Sequence, residues 1–518
     1  MASVTPMRFL PVAPDCTLIE LPDLAATLAL FDALEAAALP EVAEVIPAAR
    51  TLMLRLRPGF QVDAALAARL RALPPAPARA TETRAATEIP VTYDGADLED
   101  VARLMQLSPA EVVAAHQTAE WQVAFCGFAP GFAYLTCDDP RFDLPRRASP
   151  RARIPAGSVA LAGRFGGVYP QASPGGWQLI GTTNLPMWDV ARDPPALLQP
   201  GGTVRFVARH AIYPAAELPP KPLQGLRILS TAFPITVQDT GRPGRAAQGV
   251  ARSGAMDPGA LRRANRMAGN PPKAAALELT LGPIRLTVDQ PVELALAGAI
   301  GTAVIEGSPA TVIDIRRPFA LDAGEVLALT PPAAGMRGYL ARRGGFVAPR
   351  ILGSAARDTL AALGPEALVA GDVIGLDTQP AGPVTESPPT DSLPAPGDVV
   401  TLPVTLGPRT DWFPADQVAL FLSQTWEVTP EASRTGLRLG GQALSRPLRE
   451  LPSEGTAPGA IQIPHSGLPV LFLADHPLTG GYPVIATLLP EALTLAGQLP
   501  PGARIRFAAA HPFAEIAP

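Results

Sequence analysis

The apolar positions follow a helical period in the first part of the chain and a strand-like alternation in the rest. Leucines and alanines recur at helical spacing over residues 23–38 and again over 62–73, with a short strand predicted at 52–56. Two more short helices are predicted within 97–120, the second of which begins with the Ser-Glu spacing of a capping box. From residue 121 onward, short apolar runs are separated by glycine and proline, which is typical of strands joined by tight turns.

The 62 prolines and 46 glycines of this 518-residue chain are spread along it, which favours a β-rich protein over a helical bundle. Two proline-rich polar segments, 217–224 and 378–397, are typical of linkers because such segments are extended and bury little surface. We therefore expect a small α/β domain at the start of the chain and three further units that are mainly β. The expected boundaries are 1–90, 91–216, 225–378 and 397–518.

An internal repeat links the second and fourth of these units. The segment Gly-Gly-Trp-Gln-Leu-Ile-Gly-Thr at 175–182 matches Gly-Gly-Tyr-Pro-Val-Ile-Ala-Thr at 480–487. Each is followed, after nearly the same interval, by a Pro-Gly turn and an Arg-Phe pair, at 200–206 and 501–507. Two unrelated β segments would rarely share both ends and the spacing, so we infer two copies of one β-rich fold, either a closed barrel or a sandwich. Weaker similarities within 321–374 indicate that the third unit belongs to the same series.

Composition and charge argue against several classes of function. The net charge of −5 argues against a nucleic-acid partner, and no apolar run is long enough for a membrane span. Three cysteines cannot form a disulfide framework and the first residues lack the pattern of a signal peptide, so we expect a cytoplasmic protein. Histidines and cysteines lack metal-ligand spacing, so no metal is expected. The only lysines, Lys221 and Lys273, lie outside any phosphate-loop, biotin-carrying or Schiff-base context, so no covalent biotin is expected on this chain.

Three segments of the first half carry candidate substrate-binding residues. The aromatic residues between glycines at 127–135 form either a barrel corner or the apolar wall of a ligand site, and the two interpretations are compatible. The proline-framed arginines at 145–159 either offer guanidinium forks to a carboxylate or phosphate, or lie in a solvated loop. From these segments and the repeat, the candidates are Phe128, Gly131, Tyr134, Arg151, Arg153, Ser158, Gly175, Gly176 and Trp177.

Loops of the second half place carboxylates and arginines between glycines, a pattern that suits acid–base chemistry. There we favour a functional role for Asp239 and Arg242, but a helix-capping role for Asp257, which precedes a proline at the first helical position. Glu278 lies in an apolar run and is expected to have a partner, because an unpaired buried carboxylate is costly. A lone histidine on a predicted helix, His116, is either structural or an acid–base group. The candidate catalytic residues are Asp239, Arg242, Asp475 and His116, and the further substrate-binding candidates are Ser253, Gln462, Gly480, Gly481 and Tyr482.

At these segments the sequence resembles a pair of related protein families. The stretch 127–183, with GFAPGFAYL, LPRRASPRARIPAGS and SPGGWQLIGTT, resembles subunit 1 of the allophanate-hydrolase family, also called the family of the Kip inhibitor or of the 5-oxoprolinase B subunit. The stretch 237–283, with GPRTDWF and LADHPLTGGYP further on, resembles subunit 2, or the C subunit of 5-oxoprolinase. The same pair is similar to the carboxyltransferase region of urea carboxylase. The chain thus resembles a fusion of the two subunits through 217–224, and the resemblance implies a mainly β fold with tandem cyclophilin-like β-barrel domains after the small α/β domain.

The resemblance implies a component of an ATP-dependent 5-oxoprolinase that opens 5-oxo-L-proline to L-glutamate. The partner it implies is a separate protein like the A subunit of 5-oxoprolinase. It also implies ATP as a cofactor used with that partner and a small amide or lactam as substrate, and it leaves a homo-oligomer open. Two alternatives stay open: the carboxyltransferase part of a urea carboxylase or urea amidolyase system, and a Kip-type regulator of a sensor kinase. The missing biotin lysine counts against a self-contained carboxylase, and the fusion counts against a simple inhibitor.

Two departures from the subunit 2 pattern concern substrate identity more than fold. Residues 432–436 read Ala-Ser-Arg-Thr-Gly in place of Ser-Asn-Arg-Met-Gly, and residues 475–476 read Asp-His in place of Asp-Arg.

Overall fold

The structure is a computed structural model that describes residues 7–74, 85–147, 149, 151–209, 222–387, 392–446, 449 and 451–516. Within these residues it has 33 strands and seven α-helices, which confirms the expected mainly β fold. The predicted linker at 217–224 lies mostly outside the described residues, and so does part of the predicted linker at 378–397. In the described part of the chain, every helix is too short or too polar to cross a membrane.

The first unit is an antiparallel sheet with two helices packed against it. Its elements are β1 (Arg8–Ala13), β2 (Cys16–Glu20), α1 (Leu24–Ala37), β3 (Val42–Pro47), β4 (Thr51–Leu56) and α2 (Ala64–Arg71). The strand order is β1-β2-β4-β3. Asp23 and Asp63 each accept a backbone N–H at 2.8 Å and cap the two helices, so the helical pattern of the sequence is confirmed here.

The second unit is built on a seven-stranded sheet. Its elements are β5 (Thr87–Val91), α3 (Leu98–Met105), α4 (Pro109–Thr118), β6 (Trp121–Cys126), β7 (Ala133–Thr136), β8 (Arg151–Ile154), β9 (Ser158–Ala162), β10 (Phe165–Val168), β11 (Ser173–Gly175), β12 (Gln178–Thr182) and β13 (Thr203–Ala208). The order is β12-β9-β10-β7-β6-β13-β5, and an isolated bridge between Thr92 and Thr182 joins the two ends. Ser108 and Glu111 form the predicted capping box at the start of α4.

The third unit consists of two stacked sheets that share one apolar core. Its elements are β14 (Leu226–Thr231), β15 (Thr236–Gln238), α5 (Pro258–Met267), β16 (Ala276–Thr280), β17 (Ile284–Val288), β18 (Val292–Gly298), β19 (Ala303–Ile305), β20 (Thr311–Val312), β21 (Phe319–Leu321), β22 (Val326–Leu329), β23 (Arg337–Arg342) and β24 (Val373–Ile374). The sheets run β20-β19-β22-β17-β14-β24 and β15-β16-β23-β18-β21. This topology differs from that of the second unit, so the weak similarity within 321–374 does not extend to a third copy. Asp257 caps α5, as predicted.

The fourth unit is a closed seven-stranded barrel. Its elements are β25 (Val399–Leu406), α6 (Ala415–Ser423), β26 (Trp426–Val428), β27 (Gly436–Gly440), β28 (Glu454–Gly455), β29 (Ala460–Gln462), β30 (Val470–Phe472), β31 (Thr479–Gly480), β32 (Val484–Leu488), α7 (Leu493–Gly497) and β33 (Arg504–His511). The barrel order is β25-β32-β29-β30-β27-β26-β33.

The second and fourth units are two copies of one fold, which confirms the inference from the repeat. Read from β32, the barrel order is β32-β29-β30-β27-β26-β33-β25, and each strand takes the place of its counterpart in the second unit. In both copies the last strand pairs in parallel with the first. Trp121 and Trp426 occupy equivalent buried positions, and each indole N–H donates to the carbonyl five residues earlier, at 3.1 and 3.0 Å.

The first unit fixes the fourth unit in place through buried contacts. Arg409 lies between two carboxylates, Glu454 of its own unit and Glu20 of β2, and its guanidinium reaches Glu20 at 2.8 Å. Leu10 and Met53 of the first sheet share a small apolar cluster with Ala457 and Leu478 of the barrel. The fourth unit, held in this way, faces the second unit across a cleft.

Candidate functional site

A cleft of about 260 Å³ lies between the second and fourth units. It is lined from both sides by the loops that carry the repeated Gly-Gly-aromatic motif. The predicted residues that line it are Phe128, Tyr134, Gly175, Gly176, Trp177, Gln462, Gly480, Gly481 and Tyr482. The structure therefore brings together residues that the sequence separates by about 300 positions.

Aromatic rings form one wall of the cleft. Phe132 packs edge-on to Trp177 with ring centroids 5.3 Å apart, and Tyr134 lies 5.7 Å from Trp177. Phe128 has a φ of 62°, a left-handed backbone conformation that non-glycine residues seldom adopt. Such strained positions are concentrated at ligand sites, where the surrounding fold holds them. Gly131, also predicted here, instead packs behind the wall, because a Cβ on it would lie 2.9 Å from the Trp188 side chain.

Hydroxyl groups from both halves meet on the cleft surface. The Tyr134 hydroxyl lies 3.0 Å from the Thr479 hydroxyl and 3.3 Å from that of Ser453. On the same side, the Gln462 amide donates to the Tyr482 carbonyl at 3.0 Å. A Cβ at Gly480 would lie 2.7 Å from that amide nitrogen, so glycine is needed for Gln462 to reach the cleft. The cleft thus offers donors and acceptors suited to a small amide.

Two of the arginines in the loop at 145–159 are already paired. Arg147 and Arg151 both bind Asp97, at 2.5 and 2.8 Å. Burial alone would raise the pKa of Asp97, but hydrogen bonds from Arg151 and from the Leu179 backbone hold it below its usual value. Arg151 therefore anchors the loop to the start of α3.

A third arginine, Arg146, points into the cleft. It is half-buried and has no hydrogen-bond or ion-pair partner among the residues that the structure describes. Its guanidinium lies directly over Gly481, where any Cβ would overlap it. Because a guanidinium binds a carboxylate in a two-point fork, Arg146 is the group in the cleft best suited to an anionic substrate.

The structure places three of the four candidate catalytic residues in a buried polar network away from the cleft. Asp475 is fully buried, binds Arg434 at 2.9 Å and accepts the Ser253 hydroxyl at 2.6 Å. Arg434 also binds Glu278 and is the buried partner that this second carboxylate was expected to have. Each oxygen of Asp475 is satisfied, so this carboxylate holds the third and fourth units together.

Asp239 and Arg242 are likewise engaged by the protein itself. Asp239 accepts the Ser354 hydroxyl at 2.5 Å and the Ala355 N–H at 2.8 Å. Arg242 donates to the Ile351 carbonyl at 3.0 Å, and burial lowers its pKa. Within the loop that suggested acid–base chemistry, these two side chains therefore hold the third unit together.

The remaining predicted residues also lie outside the cleft. His116 is in the apolar core of the second unit, where burial lowers its pKa to about 3, and it is neutral at physiological pH. The hydroxyl of Ser158 donates to the Pro155 carbonyl at 2.8 Å and stabilises the turn between these two residues. Arg153 is exposed and does not line the cleft. No group of three or more His, Cys, Asp or Glu side chains in the described ranges is placed to hold a metal ion.

Two models of known protein families match this chain, one in each half. Residues 7–198 match the model of carboxyltransferase domain, subdomain C and D, and residues 248–509 match carboxyltransferase domain, subdomain A and B. The chain belongs to this carboxyltransferase-domain family. The two barrels that form the cleft lie in the two different matched regions.

Individual relatives carry the names of both subunits. The chain is 35% identical over 294 residues to the C subunit of 5-oxoprolinase from Escherichia coli strain K12, covering 54% of this chain and 90% of that protein. It is 54% identical over 123 residues to the B subunit of 5-oxoprolinase from Escherichia coli O157:H7, covering 23% of this chain and 56% of that protein, so the match spans about half of that relative's length. Urea amidolyase of Lachancea kluyveri is 32% identical over 339 residues, 59% of this chain and 18% of that protein.

A solved structure matches nearly the whole chain. The crystal structure of TTHA0988 has a TM-score of 0.80 and 34% identity, and the match covers 95% of this chain and all of that one. Both halves of this chain therefore have counterparts in one other single chain.

Several residues of the cleft are not among the candidates named from the sequence, although Phe132 lies in the aromatic segment 127–135 that was singled out. They are Phe132, Arg146, Arg147, Tyr169, Pro174, Ser453, His465, Pro477 and Thr479. Arg146 stands in the arginine segment that the sequence singled out, but which of its arginines is unpaired depends on Asp97, about fifty positions earlier. Ser453 and Thr479 carry no pattern of their own, although Thr479 directly precedes the Gly-Gly motif.

Proposed function

We propose that this chain is the fused B and C component of an ATP-dependent 5-oxoprolinase, which opens 5-oxo-L-proline to L-glutamate together with a separate A subunit. The observation that supports it most is the cleft, since the half that resembles the B subunit and the half that resembles the C subunit both line it. A volume of about 260 Å³ suits a small ring compound rather than a polymer.

The groups in the cleft match the chemical groups of 5-oxoproline. Arg146 takes the carboxylate of the substrate, and the wall formed by Phe132 and Trp177 packs against its ring. The amide of Gln462 and the hydroxyls around Tyr134 bind the lactam and orient its oxygen. ATP supplies the activation of the lactam oxygen, and the chain's part is to bind and orient the ring, donate hydrogen bonds to the developing charge and limit access of water.

A carboxyltransferase role in a urea carboxylase system is the second candidate. It is supported by the match to urea amidolyase, which covers more than half of this chain. Urea has amide groups that suit Gln462 and the hydroxyls, but it has no carboxylate for Arg146. The carboxyl group of a carboxylated biotin would fit Arg146 as well, so what favours the first candidate is that relatives of both halves are named 5-oxoprolinase subunits.

The test is a reconstituted reaction. The complete chain is mixed with the A subunit of a 5-oxoprolinase, ATP and 5-oxoproline, and glutamate release is measured; a parallel reaction receives urea and a carboxylated biotin carrier. We expect glutamate only when the fused chain, the A subunit and ATP are all present. Carboxyl transfer to urea without glutamate release would replace this proposal by the second one. Activity in neither reaction, together with inhibition of a sensor kinase, would favour the regulator.

A further inference from the structure

A second and larger cavity, of about 690 Å³, lies where the first, third and fourth units meet. Its walls come from the ends of β3 and β4, from the loop that leads into α5, and from the fourth barrel near α7. The barrel segment after β30 separates it from the cleft: Leu473 and Ala474 line the cavity, while Pro477 and Thr479 line the cleft. None of the described residues of the cleft is shared with this cavity.

Arginines outnumber carboxylates around this cavity. Arg55, Arg57 and Arg252 line it, against Asp15 and Glu44. Glu44 is already committed, since one of its oxygens accepts the Gly244 N–H at 2.7 Å and the other lies 3.8 Å from Arg55. This leaves an excess of positive charge on the cavity wall.

Two of the three guanidinium groups lack an acidic partner among the residues that the structure covers. Within the described ranges Arg57 makes no side-chain hydrogen bond or ion pair, and Arg252 only donates through Nε to the Thr240 carbonyl at 3.3 Å. Both side chains are exposed to the cavity and to solvent. Unpaired arginines in a concave site are typical of phosphate recognition, because each fork donates two parallel hydrogen bonds.

The remaining surface is largely apolar, with Met256, Leu473 and Leu493.

We propose that this cavity is a second ligand site that binds a nucleoside phosphate. Arg57 and Arg252 take the phosphate groups, and the apolar wall takes the nucleoside. The volume exceeds that of the cleft more than twofold and lies within the range of small-molecule sites. The proposal concerns a cavity separate from the cleft and assigns it no step of the ring opening, so it stands independently of the proposed function.

The test is ADP binding to the complete chain, measured by isothermal titration calorimetry at physiological salt. Arg57→Ala and Arg252→Ala should each weaken binding by about tenfold or more, which corresponds to the loss of one charge-assisted contact. The matched controls are Arg153→Ala, an exposed arginine that lines neither cavity, and Arg146→Ala in the cleft; both should bind ADP like the wild type.

Several outcomes would overturn the proposal. These are no binding of ADP at millimolar concentration, unchanged binding in both arginine variants, or loss of binding in Arg146→Ala. Inorganic pyrophosphate is titrated in parallel: weaker binding than that of ADP supports the apolar contact with the nucleoside, and equal affinity refutes it. Because Arg57 and Arg252 are exposed, their variants should keep the wild-type circular dichroism spectrum and melting temperature. Loss of ADP binding with unchanged glutamate release would separate this site from the proposed reaction.

Discussion

Replacement of Arg146 tests the proposed recognition of the substrate carboxylate. This guanidinium lies over Gly481, lines the cleft and has no ion-pair partner among the described residues, so Arg146→Ala removes a binding group without leaving a buried charge unpaired. Hydrogen bonds to a charged group contribute about 1.5–3 kcal/mol. Because solvent reaches the half-buried site, we expect the loss of substrate-binding free energy to lie near the lower end of that range. A loss of about 1.5–2 kcal/mol corresponds to a rise of about 10- to 30-fold in KM.

The assay is glutamate release at increasing 5-oxoproline concentration, with ATP and the A subunit in excess. Arg153→Ala is the matched control, because it removes an exposed arginine seven positions away that does not line the cleft. Arg146→Lys keeps the charge but not the two-point fork, so its KM should lie between those of the wild type and Arg146→Ala. A KM for Arg146→Ala within twofold of the wild type, or a larger effect in Arg153→Ala, would refute the assignment.

Three further predictions concern stability and are checked by urea denaturation. Burial first, and then the charge of Asp475, raises the pKa of Asp358 to about 7. The native state therefore holds a proton that the unfolded chain loses near pH 4, and the free energy of unfolding should fall as pH rises from about 4 to 7. Asp358→Asn should flatten this dependence and the exposed Asp143→Asn should not; an unchanged slope in Asp358→Asn would contradict the account. Burial lowers the pKa of His116 to about 3, so protonation of the unfolded chain should reduce stability below about pH 6.5, by up to about 1.4 kcal/mol per pH unit. His116→Gln should lessen that loss, whereas the exposed His511→Gln should leave it as it is. Glu454→Gln leaves the buried Arg409 with Glu20 alone and should cost about 3 kcal/mol; a cost below about 1 kcal/mol would contradict the role of Glu454 as the buried partner of Arg409.

The duplicated barrels could be predicted from the sequence because both copies keep the same turn and strand residues. The Gly-Gly-aromatic turn and the Pro-Gly turn that follows it are local features, and each lies at a strand end in both copies. The third unit was misjudged because short apolar strands look alike in a barrel and in stacked sheets. Only the pairing of distant strands distinguishes the two, and that pairing is not visible in a single sequence.

The site was predictable where glycine and aromatic residues occur together, as at Trp177 and Tyr482. It was not predictable where the role of a charged group depends on a distant partner. Arg151 and Arg146 are five positions apart in one loop, and Asp97 alone decides that the first is structural. Asp475 lies between motifs that suggest chemistry, but Arg434 and Ser253 use its charge to join two units. Glycine hinges serve buried networks as readily as ligand loops, so they do not separate the two roles.

The central claim is that both halves of the chain form one substrate site, and a double-mutant cycle tests it most directly. The kcat/KM for 5-oxoproline is measured for Arg146→Ala in the first half, Gln462→Ala in the second half, and the double variant. Because both side chains line the same small cleft, we predict that each single change lowers kcat/KM and that the two effects are not additive, with an interaction of about 0.5 kcal/mol or more. Unchanged kcat/KM in Gln462→Ala, or two effects that simply add, would contradict a shared site.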